Sequence, residues 1–200
     1  MKKATGVILA GGKSSRMNFN NKAFLYIRGK RIIEIIRDKF VSFFEETIII
    51  SNDPWLYEYL GVPVYRDVYP GLGPMSGIHA GLTYASHDAI FALACDMPFI
   101  NMQMVDYMLE KLNSYDAVVP RIDDFLHMTA AVYSRRCLPQ LTYNLQNQKL
   151  KMALLFAELK ALALEEEEIQ MFGDKSEMFH NINQEEDLLK AEKIARRLLL

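Results

Sequence analysis

The chain has 200 residues, 50% of them hydrophobic, with 24% charged residues and a formal net charge of −2. That length and composition suit one domain with a sizeable core, and so small a charge gives no bulk electrostatic case for nucleic acid or an anionic membrane. Cys95 and Cys137 make neither a disulfide framework nor a metal-ligand spacing, and no apolar run approaches the ~18 residues of a membrane span.

The first stretch with chemistry in it runs Gly6-Val7-Ile8-Leu9-Ala10-Gly11-Gly12-Lys13-Ser14-Ser15-Arg16-Met17 and closes at Lys22. Residues 7–10 read as a short buried strand, a continuous apolar run ended by glycine. Too few apolar residues separate Met1-Lys2-Lys3 from Gly11-Gly12 for a secretory leader, so a reduced cytoplasmic enzyme is expected. Gly11 and Gly12 let the backbone turn sharply and approach a ligand; Arg16 and Lys22 add positive charge at the exit. Strand, glycine turn and cations together mark the phosphate end of a nucleotide site. It is not a Walker A loop, which needs glycine where this chain has Val7, nor a G-x-G-x-x-G, because Gly11 and Gly12 are adjacent.

Residues 26–30 read as a turn feeding a helix whose apolar stripe is Ile32, Ile33, Ile35, Ile36, Phe40 and Phe43. A buried strand follows at 47–50, with Ser51-Asn52-Asp53-Pro54 as its exit. Asn52 is either a neighbour of the nucleotide base or a turn and cap residue. A helix over 55–60 and a strand over 62–65 lead to Arg66-Asp67, then to a proline- and glycine-rich loop over 70–74. The next helix opens at Ser76-Gly77 and runs to Ala85; Gly77 and Gly81 leave it a smooth face for a ligand or a strand. His79 on that helix reads as surface or satisfied core and stays outside the catalytic set.

Residues 89–95 are the clearest central strand, and Asp96 ends it where α/β sheets bind ligands. Asp96 is either an Mg²⁺ ligand, since that ion takes one or two carboxylates plus nucleotide phosphates, or an N-cap or turn aspartate. Beyond it we expect a helix over 102–112, strands over 116–120 and 128–133, helices over 139–145 and 149–159, and a packing helix over 185–200. The polar segment 121–127 is placed to face a second substrate. Glu165–Glu168 reads as a solvated face or loop.

Leu9-Ala10-Gly11-Gly12-Lys13-Ser14-Ser15-Arg16-Met17 with Lys22, Asp67…Gly73-Pro74-Met75-Ser76-Gly77-Ile78, Cys95-Asp96-Met97-Pro98 and Phe179-His180-Asn181-Ile182-Asn183 together resemble the signature of the molybdenum cofactor guanylyltransferases. The resemblance covers nearly the whole chain. It departs at Asn18, where the family usually has glycine, at Met128 after His127, and at Gln146-Asn147-Gln148-Lys149.

The resemblance implies an α/β protein with a three-layer α/β/α, mostly parallel sheet of the Rossmann-like nucleotidyltransferase (nucleotide-diphospho-sugar transferase) fold. It implies one domain over 1–200, the nucleotide half at 1–100 and the acceptor half at 101–200. The implied reaction moves GMP from GTP to the phosphate of the molybdopterin cofactor and releases pyrophosphate, with Mg²⁺ as cofactor. By the resemblance Leu9, Ala10 and Gly11 would hold the guanine nucleotide, Asp67 would line its site and Lys22 would contact phosphate. The residues read by themselves add Gly12, Asn52 and Asp96 to the nucleotide set and give the transfer to Arg16, Lys22 and Asp96. Asn181 and Asn183 would lie towards molybdopterin, or else be plain exposed positions flanking Ile182. Molybdoenzyme maturation proteins are further expected partners. The competing readings are a molybdopterin cytidylyltransferase or other small-acceptor nucleotidyltransferase, and a non-catalytic GTP-binding partner in cofactor insertion.

Overall fold

A computed structural model describes residues 1–11, 21–183 and 185–198. The chain begins with β1 (Lys2–Leu9), a 3₁₀ turn (Lys22–Phe24), the hairpin β2 (Tyr26–Ile27) and β3 (Lys30–Arg31), then α1 (Ile32–Phe43) and β4 (Phe44–Ile50). Two 3₁₀ turns, Pro54–Leu56 and Glu58–Leu60, precede β5 (Val64–Tyr65), α2 (Pro74–Tyr84), β6 (Ala89–Ala94) and α3 (Met102–Lys111). The rest comprises β7 (Ala117–Ile122), β8 (Phe125–Leu126), β9 (Ala130–Ser134), α4 (Leu138–Gln146), α5 (Met152–Glu158), β10 (Ala161–Leu164), α6 (Glu166–Gln170), α7 (Lys175–Met178) and α8 (Glu185–Arg197).

The main sheet has the order β10-β7-β9-β6-β1-β4-β5, with β8 paired to β7 outside that path. β9 runs antiparallel to β6 and β7; the other neighbours along the path are parallel. β1 is central because its side chains are buried on both faces, the condition under which a parallel strand reads as an unbroken apolar run. Ile8 joins the cluster formed with α1, α3 and α8, whereas Val7 and Leu9 join the cluster formed with α2, α4 and α5. The result is the expected three-layer α/β/α arrangement. Among the described residues no helix is long and apolar enough to cross a membrane.

Several expectations shift. β1 starts five residues before Val7, and Ala10 lies beyond its end. Residues 55–60 form two 3₁₀ turns instead of a helix, since Pro54 and the left-handed Gly61 (φ 70°) bound too short a segment. β5 occupies only the last two residues of the expected 62–65 strand. α2 starts at Pro74, a residue suited to a helix's first position. Segment 121–127 contains the hairpin strand β8, and β10 carries no sequence expectation at all. The acidic run lies in and just before α6 and is paired: Arg121 with Glu165 at 3.1 Å, Lys175 with Glu166, and Lys111 with Glu168 at 3.3 Å. α8 is the expected packing helix, burying Ala191, Ile194 and Ala195 and setting Leu188 against the core, while Leu189 and, beyond its end, Leu198 are exposed.

Gly6 shows how closely β1 is packed on the face that α1 covers. A Cβ built there would lie 2.5 Å from Phe44 Cδ2 and 2.6 Å from Phe40 Cδ2, two rings already in an edge-on pair with centroids 5.2 Å apart. Neither ring can retreat without disturbing Phe91, which touches both. Gly6→Ala is therefore expected to destabilise the fold by about 1–3 kcal/mol, read as a lowered urea midpoint; an unchanged midpoint would show that the rings have room to move.

Candidate active site

The site is built by strand register. Leu9 pairs with Ile50 on one side and with Ala94 on the other, and Ile50 pairs in turn with Tyr65. Two residues beyond that aligned set lie Gly11, Asn52, Asp96 and Asp67 respectively. With neighbouring strands about 4.8 Å apart, the four positions form a row of about 14 Å along the carboxyl edge of the sheet. The backbone continues the alignment past the strands, Ala10 N donating to Ile50 O at 2.9 Å, Ser51 N to Tyr65 O at 2.8 Å and Cys95 N to Leu9 O at 3.2 Å. The chain leaves β1 towards β4 and β5 and then returns to β6 on β1's other side, so the row lies at the point where the strand order reverses. Open α/β sheets hold their ligands at such a crevice.

At one end of the row, Asn52 Nδ2 donates to Asp67 Oδ2 at 2.9 Å and Asp67 N donates to Asn52 Oδ1 at 3.3 Å. Burial raises the Asp67 carboxyl above its usual range, and hydrogen bonds from Asn52 and Ser76 oppose part of that rise. Gly77 lies close by, with space for a Cβ limited to 3.0 Å from Leu9 Cδ2. Gly81 is tighter still, 2.8 Å from Val7 Cγ1. The smooth face of α2 thus receives strand β1.

At the other end stands Asp96. It caps no helix: α3 is capped by Asn101, whose side chain accepts from Gln103 N at 2.7 Å. Asp96 Oδ1 is buried and, among the described residues, has no hydrogen-bond partner. Burial raises the Asp96 carboxyl, and the Lys22 ammonium draws it partly back. Lys22 also donates to Asn183 Oδ1, and Ile182 N donates to Asp96 O at 3.0 Å, so the 179–183 motif folds back onto the end of β6. Asn181 and Asn183 are both exposed and Ile182 is buried between them, on irregular backbone and not on a strand.

Leu9 and Ala10 are buried at the end of β1, and Gly11 is exposed with open space where a Cβ would point. Gly12 and Arg16 lie outside the described residues. Burial and the neighbouring Asp96 charge push the Cys95 thiol up to about 12. His79 is buried, 3.1 Å from Thr142 Oγ1 through Nε2 and edge-on to Tyr69, and burial lowers its pKa. It belongs to the α2–α4 contact.

Sequence reasoning missed Tyr57. Its ring is fully buried and stacks on Phe24 with centroids 5.4 Å apart. Its hydroxyl donates to Ala10 O at 3.2 Å and accepts from Asn21 Nδ2 at 2.8 Å. Asn21 Oδ1 in turn accepts from Ala23 N at 3.2 Å, opening the 3₁₀ turn that begins with Lys22. One phenol therefore fixes the end of β1 relative to the turn that aims Lys22. No periodicity marks such a residue; only its distance in sequence from both partners makes it telling.

Comparison with known proteins places this geometry. Residues 6–162 match the model of the MobA-like NTP transferase domain. The chain belongs to that family. A Clostridium perfringens protein named "Probable molybdenum cofactor guanylyltransferase" is 39% identical over 199 residues, covering 97% of this chain and 100% of the relative. A "Molybdenum cofactor guanylyltransferase" of Desulfosudis oleivorans is 32% identical, covering 96% of both. Among solved structures, molybdopterin-guanine dinucleotide biosynthesis protein A of Archaeoglobus fulgidus superposes with a TM-score of 0.82 at 25% identity, covering 96% of this chain and 99% of that one. A 2-C-methyl-D-erythritol 4-phosphate cytidylyltransferase of Thermus thermophilus shares the fold, with a TM-score of 0.73 at 18% identity and coverage of 98% and 100%. The MobA-like chain is thus a nucleotidyltransferase by family, with the Rossmann-like nucleotide-diphospho-sugar transferase fold.

Tyr57→Phe keeps the ring and removes the hydroxyl, leaving Ala10 O and Asn21 Nδ2 without their partner. The expected loss is about 1–3 kcal/mol, measured by denaturant unfolding. A loss within error would show that both groups find other partners at no cost.

Proposed function

We propose that this protein transfers GMP from GTP to the phosphate of the molybdopterin cofactor, releasing pyrophosphate. The observation that carries the reading is the aligned row, with a paired amide and carboxylate at one end and, at the other, a carboxylate beside a lysine with one buried oxygen that has no hydrogen-bond partner among the described residues. The names of full-length relatives support guanine as the base and molybdopterin as the acceptor.

In this reading Leu9, Ala10 and Gly11 cradle the nucleotide over the end of β1, and Asn52 and Asp67 meet the nucleoside. Lys22 neutralises the phosphates, where two polyanions must approach and pyrophosphate must leave. An oxygen of the acceptor phosphate attacks the α-phosphorus and the bond to the bridging oxygen of pyrophosphate breaks. The attacking phosphate is already ionised, so no strong general base is needed. This fits an arrangement in which charge is stabilised by fixed groups. Gly12 and Arg16 are proposed to assist at the phosphates on the strength of the motif alone. Asn183, through its bond to Lys22, and Asn181 face the acceptor.

The donor set suits Mg²⁺. Among the described residues no group of three or more His, Cys, Asp and Glu converges to form a dedicated cage, and Mg²⁺ is commonly held by one or two carboxylates together with substrate phosphates and water. Asp96, whose Oδ1 is buried without a partner, would hold it. The ion would supply charge neutralisation at the transferring phosphoryl group.

Pyrophosphate release measured with GTP, CTP and ATP, with and without molybdopterin, tests the assignment. Release is expected with GTP in preference and to depend on the acceptor. Equal or faster release with CTP would favour the cytidylyl reading, and no release with any nucleotide would favour a binding partner.

Asp96→Asn separates site from scaffold. Burial raises the folded-state pKa of Asp96 above its usual 3.8, so ionising the carboxylate costs stability as pH rises through that raised value. The Asn variant should therefore melt at or above the wild-type temperature at neutral pH. That gain is full above the raised pKa and vanishes below 3.8. Transfer should be abolished in the same variant. Near wild-type transfer at saturating GTP and Mg²⁺ would remove the metal from this residue.

A further inference from the structure

The β7–β8 hairpin rises from the carboxyl edge of the sheet, the edge that carries Asp96, because β6 and β7 are each antiparallel to β9 and hence run the same way. Its turn is tight, with Asp123 and Asp124 both at positive φ (47° and 61°), the pattern of a two-residue hairpin turn. The tip is anchored, Asp123 N donating to Glu166 Oε1 at 2.7 Å and its carboxylate pairing with Lys175 at 3.2 Å. From this fixed hairpin Phe125 projects with 66% of its surface exposed.

An exposed aromatic ring is not unusual in itself, but among the described residues the other exposed rings each lie against a cation or a stacked ring. Tyr26 and Tyr59 have Arg31 over them, Trp55 has Arg66, Tyr143 has Lys149, and Tyr84 stacks on Tyr65. Among the described residues the ring partner of Phe125 is His127, edge-on at 5.1 Å. His127 in turn contacts Phe179 at 4.6 Å.

This ladder is tied to the row at two points. Ala94 N donates to Thr129 O at 2.8 Å, and those residues lie two positions from Asp96 and His127. Phe179 is three residues from Ile182, whose N–H bonds Asp96 O, so at most about 11 Å of chain separates them. Burial lowers the His127 pKa, leaving an uncharged imidazole at neutral pH between two phenyl rings.

We propose that Phe125 and His127, backed by Phe179, form the wall against which the flat heteroaromatic ring of the acceptor stacks. A planar pterin offers a π-face to such a wall, with its phosphate directed to Asp96 and Lys22. The proposal rests on the guanylyltransferase reading for the acceptor's identity, while the wall is a property of the hairpin. It gives a role to segment 121–127, which the sequence places before a second substrate without naming a residue.

The test uses the full-length protein and free pterin, followed by its own fluorescence, with no nucleotide present. The wild type is expected to quench the fluorescence on binding. Phe125→Ala should weaken binding about tenfold, the order of one lost stacking contact. Phe125→Trp should restore it and Phe125→Leu should not, since leucine supplies area without a π-face. In the transfer assay, Phe125→Ala should raise the KM for molybdopterin about tenfold and leave GTP affinity, measured by calorimetry, unchanged. No pterin binding by the wild type, unchanged binding by Phe125→Ala, or full rescue by Phe125→Leu would overturn the wall. If the pterin results hold while the enzyme transfers CMP, the wall stands and the choice of base is wrong.

Discussion

Everything in the site depends on the pairing of β1 between β4 and β6. The register Ala94–Leu9–Ile50, extended to Tyr65, decides which residues of four separate motifs come level. A one-residue slip of β1 would turn Val7 and Leu9 to the face now held by Ile8 and move Gly11 out of line with Asp96 and Asn52. The slip is opposed by close packing on both faces: Gly6 under Phe40 and Phe44, and Gly81 against Val7. The core and the row are therefore one constraint, because the side chains that lock the register also align Asp96, Gly11, Asn52 and Asp67.

Burial of Asp96 is the cost the site carries. A carboxylate with a buried oxygen lacking a partner is unfavourable, and Lys22 offsets only part of that penalty. Lys22 sits where it does because Asn21 and Tyr57 fix the turn that carries it. On the far side, Asn183 and Ile182 bring the C-terminal motif against the same two residues. The Lys22 and Asp96 charges at that end are thus framed by neutral hydrogen-bonding groups, whereas Asp67 at the other end is paired with the Asn52 amide.

Much of this was legible in the sequence. The runs at Val7–Ala10, Thr47–Ile50 and Ala89–Cys95 announce buried parallel strands because such strands need apolar groups on both faces, and Asp96 and Asn52 announce their exits. The N-cap alternative for Asp96 could not be dismissed there, since only the observed cap at Asn101 excludes it. Tyr57 was invisible because its hydroxyl acts on residues 47 and 36 positions away. Trp55–Leu60 looked helical by composition, yet Pro54 and Gly61 leave too little length to propagate a helix. The acidic run at 165–168 is the solvated face it reads as, with Glu165, Glu166 and Glu168 partly exposed and paired at the surface with Arg121, Lys175 and Lys111. β10 is an edge strand of small and apolar residues with no turn signal before it.

The most direct measurement is a crystal structure with a non-hydrolysable GTP analogue and Mn²⁺, recorded for the anomalous signal of the metal. The expected result is a metal peak at Asp96 Oδ1, phosphates on Lys22 and the backbone at Gly11, and the nucleoside over Asn52 and Asp67. A nucleotide lying the other way along the row, with its phosphates at Asp67, or a metal bound away from Asp96, would contradict the assignment of the two ends.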